Sequence, residues 1–231
     1  QPQLLDEAPI AAERINVGKA PGHHPWPQAE INALLIAQAR QEKIVVRLKG
    51  GDPFTFGRGG EECQALSQAG IPFEMVPGVT SAIAVPAYAG IPVTHRECSS
   101  TFMVVTGHSC DPDTVNWELL ANVETLIVLM GVHNLPEYAR QLMKHGRSPE
   151  TPVAVICMGT TPEQIVIQGT LADIAEKARE IQPPATIVIG PVVELRQQLA
   201  WFDPNGTGNY PTAQVWHAPY RKSHLRCGGA E

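Results

Sequence analysis

A chain of 231 residues is long enough for one large domain or two small ones, and 43% hydrophobic with 17% charged residues suits a globular protein that buries a core. The formal net charge of −6 excludes a global basic field for nucleic acid, while leaving room for a local basic pocket that takes an anionic small molecule. Five scattered cysteines with no C-x-x-C pair point to reduced thiols in the cytoplasm, eight histidines without ligand spacing argue against a metal, and no apolar run reaches the ~18 residues of a membrane span.

In chain order, residues 3–7 read as the end of a helix and Ile15-Asn16-Val17 as a short strand. A Gly/Pro loop at 18–25 carries Lys19, His23 and His24, and a lone loop lysine is by default a solvated charge. Pro27 opens a helix with Ile31, Leu34 and Leu35 along one side. Residues 44–48 form an apolar β-type run that breaks into Lys49-Gly50-Gly51-Asp52-Pro53-Phe54-Thr55-Phe56-Gly57-Arg58-Gly59-Gly60, followed by a helix over 61–69 closed by Gly70. A strand that dissolves into glycines and then opens a helix brings backbone N–H groups up to a ligand, although a tight surface loop needs glycines too. No G-K-[ST] ends the stretch and no G-x-G-x-x-G fills it, so ATP hydrolysis and dinucleotide binding lose support. Asp52 either caps the turn or accepts a hydrogen bond from a ligand.

Residues 71–76 read as another strand, 77–80 as a turn, and 81–89 as a helix of small residues despite Pro86. Thr80 and Ser81 open it, as an N-cap pair or as ligand contacts at the carboxyl ends of parallel strands. Two strand–loop–helix units in succession predict a parallel α/β sheet. A strand at 102–106 follows, then a polar segment at 109–118 that reads as a domain boundary. A second α/β pattern runs through strands at 125–131, 153–157, 164–167 and 185–190, with helices at 135–144 and 171–181. Met130-Gly131 and Met158-Gly159-Thr160 end two of these strands and suggest a shared ligand cleft. The domains are accordingly 1–108 and 109–202, with 203–231 a Gly/Pro-rich, partly disordered tail.

The segments from Val45 through Glu62, and from Pro77-Gly78-Val79-Thr80-Ser81 to Ile91-Pro92-Val93-Thr94-His95-Arg96, resemble the signature of the uroporphyrinogen-III C-methyltransferases, of the tetrapyrrole methylase family. The resemblance covers roughly residues 15 to 202. It implies two α/β domains with S-adenosyl-L-methionine bound between them, in a cytoplasmic homodimer that acts on a small-molecule tetrapyrrole and needs no metal, nucleic acid or membrane. The implied reaction methylates uroporphyrinogen III at C2 and C7, giving precorrin-2 by way of precorrin-1, for sirohaem and cobalamin synthesis. Carried over by motif, Gly50, Gly51, Asp52, Thr80, Ser81, Met130 and Gly159 are cofactor contacts. Thr55 is one too, where the family usually has an aliphatic residue, and Lys19 matches the proposed proton donor. With eight carboxylates on the substrate, Lys49, Arg58, His95 and Arg96 are candidate substrate-binding cations. Family members begin with a strand, a Gly-x-Gly-Pro-Gly-Asp loop, a helix and a second strand ending in the aspartate proposed as proton acceptor. None of this is in the sequence, which therefore reads as a truncated product or fragment. The competing expectations are a catalytically inactive remnant that binds cofactor or a partner, and a methyltransferase of the same fold acting on a later corrin intermediate.

Overall fold

A computed structural model of the chain describes residues 2–18, 26–41, 43–108 and 114–203. After a 3-10 turn at Pro2–Glu7 come three helices, α1 (Gln28–Ala39), α2 (Gly59–Gln68) and α3 (Ser81–Tyr88). The rest mixes strands and helices: β1 (Phe102–Thr106), α4 (Trp117–Asn122), β2 (Thr125–Leu129), α5 (Leu135–Lys144), β3 (Pro152–Cys157), β4 (Ile165–Thr170), α6 (Ile174–Lys177), β5 (Ala185–Ile189) and α7 (Arg196–Leu199).

The strands form one mixed sheet in the order β1-β2-β5-β3-β4. β1 and β2 run parallel, with Phe102 opposite Thr125 and Thr106 opposite Leu129. β5 inserts antiparallel between β2 and β3, and β4 pairs antiparallel with β3. The central strands are buried on both faces, which is why they read as unbroken apolar runs. Their side chains still alternate. Leu126, Val128, Val153, Val155, Ile187 and Ile189 pack on α4, α5 and α6 through Trp117, Leu120, Leu135, Tyr138, Leu142 and Ile174. On the other face, Ile127 and Leu129 meet Ala82, while Ala154, Ile156 and Val188 meet Val85 and Ala89, so α3 is laid directly on the sheet. Each such large side chain contributes ~1.5–3 kcal/mol by burial.

Helix α5 buries Leu135, Tyr138, Ala139 and Leu142, a 3.6-residue stripe, and begins with Pro136 in its first turn. It ends in a Schellman arrangement: Gly146 at φ 98, its N–H on the Met143 carbonyl, and the Arg147 N–H on the Leu142 carbonyl. The buried Arg147 guanidinium then donates to the carbonyls of Leu120, Val123, Glu124 and Ile189, which stitches α4 to β5.

The mixed α/β class agrees with the sequence; the first-half sheet does not. Residues 43–49 and 71–80, like residues 12–17, are in neither helix nor strand and join no ladder among the described residues. Ile44, Val46 and Val76 are 97%, 80% and 76% exposed. An apolar run becomes a strand only when a neighbour takes its backbone hydrogen bonds, and no described segment does so here. The first half is tied instead by Glu62 of α2, whose buried carboxylate accepts from Lys49, Arg47 and Gln28 of α1. The strand at 102–106 pairs with β2, just across the 108/109 boundary read from composition. Two smaller differences concern helices. The segment read as polar boundary already contains the start of α4, with Trp117 buried, and the helix expected over 171–181 narrows to α6.

Candidate functional site

Four loops carry the predicted contacts. The glycine stretch turns at Gly51, which takes φ 69, a value that favours glycine. Asp52 Oδ1 then accepts from the backbone N–H of Phe54 and Thr55, both at 2.9 Å, and from the Thr55 hydroxyl at 3.1 Å. Its other oxygen accepts the Gly78 N–H at 3.1 Å. The Gly78 N–H, with smaller help from the N–H and hydroxyl donors at 54 and 55, holds this carboxyl below the usual aspartate range. Asp52 is thus the turn's cap and a clasp to the next loop at once. Oδ1 is fully engaged, so the acceptor capacity left for a ligand is on Oδ2.

The second loop, 77–81, touches the first. A Cβ at Gly78 would stand 2.3 Å from the Gly51 carbonyl oxygen, so that approach requires glycine. Gly51 in turn faces the Val79 carbonyl, Thr80 Cα and Ser81 N–H, at 3.6 to 3.8 Å from where its own Cβ would be. Gly50 opens onto free space. Thr80 is the N-cap of α3, its hydroxyl accepting the Ala82 N–H at 3.3 Å, while Ser81 is exposed.

The third and fourth loops follow β2 and β3. Leu129 pairs with Thr186 and Cys157 with Ala185, so Met130 and Met158 leave the same edge of the sheet on either side of β5. Gly131 packs against Gly107 at the end of β1, and the Met130 residue is 46% exposed. Gly159 presses on α3, where an added Cβ would fall 2.5 Å from a Val85 methyl. Every non-glycine residue described at positive φ sits in these loops: Phe56 and Arg58 in the glycine stretch, Met130, Met158 and Thr160 at the strand ends. A left-handed conformation costs ~1–2 kcal/mol per such residue, most for β-branched Thr160, and clustered strain of this kind marks sites where backbone is aimed at something.

Gly50, Gly51, Asp52, Thr55, Thr80 and Ser81 are therefore brought together directly, and Gly159 joins them through α3. Of the four candidate cations, Lys49 and Arg58 lie in the glycine stretch itself, each paired with a glutamate of α2, and His95 and Arg96 lie elsewhere. Lys49 Nζ is engaged by both Glu62 oxygens at 3.1 and 3.2 Å, with its side chain 12% exposed. Arg58 forms a two-point pair with Glu61, at 2.9 and 2.7 Å, on the surface. His95 bridges to Ser99, whose hydroxyl meets Thr125 at the start of β2. That places His95 and its neighbour Arg96 toward the sheet edge opposite Met130 and Gly159. Lys19 lies outside the described residues. Sequence reasoning passed over Gly78, whose role as a contact glycine shows only when loop 77–81 meets Gly51. It noted Met158 and Thr160 without assigning them; their backbone strain was invisible in one dimension. Among the described residues, no group of three His, Cys, Asp or Glu side chains could hold a metal ion.

The site fits a ligand with both polar and apolar parts: open backbone at Gly50–Gly51, one carboxylate oxygen, a helix start with hydroxyls, and an exposed thioether. Comparison with known proteins agrees. The family model Tetrapyrrole (Corrin/Porphyrin) Methylases matches residues 2–175. An S-adenosyl-L-methionine-dependent uroporphyrinogen III methyltransferase of Methanosarcina barkeri is 54% identical over 203 residues, covering 85% of this chain and 79% of that protein. Siroheme synthase 1 of Pectobacterium atrosepticum is 52% identical over 202 residues, but those are 86% of this chain and only 42% of the synthase, so the chain spans less than half of that relative. Uroporphyrin III C-methyl transferase of Thermus thermophilus superposes in its native form with TM-score 0.71 at 39% identity, over 84% of this chain and 82% of that one. Its complex with S-adenyl homocysteine gives TM-score 0.66 at 40% identity, over 76% and 80%.

Proposed function

Since the chain belongs to the tetrapyrrole methylase family, we infer that it is a methyltransferase that uses S-adenosyl-L-methionine to C-methylate uroporphyrinogen III. The observation that carries this reading is the contact of Gly51 with Thr80 and Ser81, closed by the Asp52–Gly78 clasp. It makes one wall from two segments 26 residues apart in sequence. Gly50, Gly51, Asp52, Thr55, Thr80, Ser81, Met130 and Gly159 would hold the methyl donor, the glycines by close backbone approach and Asp52 Oδ2 by accepting a hydrogen bond.

When bound, the sulfonium supplies an electrophilic methyl group without a metal. The residues of this chain supply position: they fix the donor so that an electron-rich pyrrole carbon meets the methyl carbon in line, and proximity accounts for much of the rate. Methyl transfer would leave S-adenosylhomocysteine, and the macrocycle would give up a proton to a base. Lys19 is the proposed acid. Two rounds, at C2 and C7, yield precorrin-2 for sirohaem synthesis, with cobalamin as a further outlet. We propose a cytoplasmic homodimer; no helix among the described residues is long and apolar enough to cross a membrane.

Anaerobic incubation with uroporphyrinogen III and S-adenosyl-L-methionine should produce the precorrin-2 absorbance, and light scattering should give twice the chain mass. A second reading, cofactor binding without turnover, draws on the unladdered segments 43–49 and 71–80 that carry the first wall. Calorimetry separates the two. S-adenosylhomocysteine binding with no precorrin-2 favours the second reading, and no binding at all defeats both.

A further inference from the structure

Helix α3 carries Thr80 and Ser81 at its start, and its other end is held in an unusual way. Local turns take the carbonyls of Val85, Pro86 and Ala87. The later carbonyls, which a helix end leaves without intrahelical partners, are taken by side chains from far along the chain. Gln164 Nε2 donates to the Tyr88 carbonyl at 3.3 Å, and the Arg196 guanidinium donates to that of Ala89. Trp201 Nε1 adds a bond to the Ala87 carbonyl at 2.9 Å. The Tyr88 ring sits 5.0 Å from that of Trp201 and 4.9 Å from that of Phe202. A cation at a helix C-terminus is also favoured by the helix dipole. Gly90, at φ 71, lets the 199–200 backbone come in over this end, where a Cβ would stand 2.6 Å from Ala200 Cα.

Gln164 does a second thing. Its Oε1 accepts the N–H of Thr160 at 2.9 Å, the residue held at φ 71 next to Gly159. One side-chain amide therefore ties the Gly159 turn to α3. We propose that Gln164, Arg196 and Trp201 are positioning residues for the cofactor cleft: they clamp the C-terminal end of α3 and so set where Thr80 and Ser81 stand relative to Gly159. An eight-residue helix is ~12 Å long and stiff, so a displacement at one end is felt at the other. The inference rests on the reading that Thr80, Ser81 and Gly159 hold the methyl donor.

The test uses near-isosteric substitutions that each remove one donor to a carbonyl of α3. Gln164→Glu keeps an acceptor for Thr160 and loses the donor to Tyr88. Trp201→Phe keeps the ring packing and loses the N–H. Each is expected to weaken S-adenosylhomocysteine binding and raise KM for S-adenosyl-L-methionine by about tenfold, the effect of one well-placed hydrogen bond. Expected with it are a kcat and melting temperature close to wild type and faster deuterium exchange of the α3 amides. Arg196→Met should behave alike, and Arg196→Lys should recover most of the loss. Lower melting temperatures with KM unchanged would overturn the proposal, leaving these residues a purely structural role. Wild-type affinity together with unchanged α3 exchange would overturn it too. If the wild-type chain itself fails to bind S-adenosylhomocysteine, the functional reading falls, and exchange in the two variants decides the clamp: faster supports it, unchanged refutes it.

Discussion

Replacing Gly78 by alanine puts the contact between the two halves of the proposed cofactor wall under direct stress. The added Cβ would lie 2.3 Å from the Gly51 carbonyl oxygen and 3.1 Å from its carbon, where ordinary contact begins at 3.4 Å. Both partners are backbone, so no flexible side-chain end can yield. The loops must separate by about 1 Å, which carries the 3.1 Å bond from the Gly78 N–H to Asp52 out to roughly 4 Å, past hydrogen-bond reach. Misplacing a binding group by about 1 Å costs on the order of 100-fold in rate. Gly78→Ala should thus lower kcat/KM by about that factor and weaken S-adenosylhomocysteine binding in parallel, measured by steady-state kinetics and calorimetry. Gly60→Ala is the matched control. Gly60 lies inside α2 with nothing within 4 Å of the new Cβ, so that variant should keep wild-type affinity and gain ~0.5–1 kcal/mol from helix propensity. A Gly78→Ala protein with native circular dichroism and affinity within about twofold of wild type would refute the two-loop wall.

Gly159→Ala drives a Cβ to 2.5 Å from a Val85 methyl, so it should impair cofactor binding, and adding Val85→Ala should restore much of the loss; strict additivity in that cycle would deny the contact. The Asp52 carboxyl is held below its ordinary 3.8, chiefly by the Gly78 N–H. The bound form needs the charged carboxylate, so cofactor affinity should be flat around neutral pH and fall only in acid, as pH drops through that lowered value. Asp52→Asn should bind weakly at neutral pH without that acid limb, and an unchanged limb would assign the titration to another group. For Arg147→Met, four bonds from a charged donor are worth ~6 kcal/mol. Burial, which pulls the guanidinium well below its ordinary value to about 10, costs ~3 kcal/mol. The net loss of ~3 kcal/mol should lower the melting temperature by about 9 °C, and a drop under 2 °C would mean that desolvation cancels the bonds.

Much of the second half was legible because its signals are local. The alternation within Thr125–Leu129, Val153–Cys157 and Ala185–Ile189 survives double-sided burial as a dense apolar run, and α5 is bounded where Pro136 and Gly146 say it should be. The runs at 44–48 and 71–76 look equally like strands in one dimension, yet they stay unpaired among the described residues. Nothing in such a run states whether a neighbour will be there to take its hydrogen bonds. The glycine stretch, Thr80-Ser81 and the two Met-Gly strand ends could be named as candidates from residue types and motif resemblance. The pairing of Gly78 with Gly51, the double duty of Asp52, and the engagement of Lys49 by Glu62 could not, because each joins segments separated by 13 or more residues.

What the amino-acid order determined by itself is therefore the periodic core, the helix stops and the chemical identity of the loops that follow the strands. What only the tertiary structure decided is which of those loops touch, and from which end α3 is held. The physical reason is range. Period, capping and left-handed glycine act over a few residues, whereas close backbone approach and long-range carbonyl capping depend on distances that exist only after α3 has settled on the sheet.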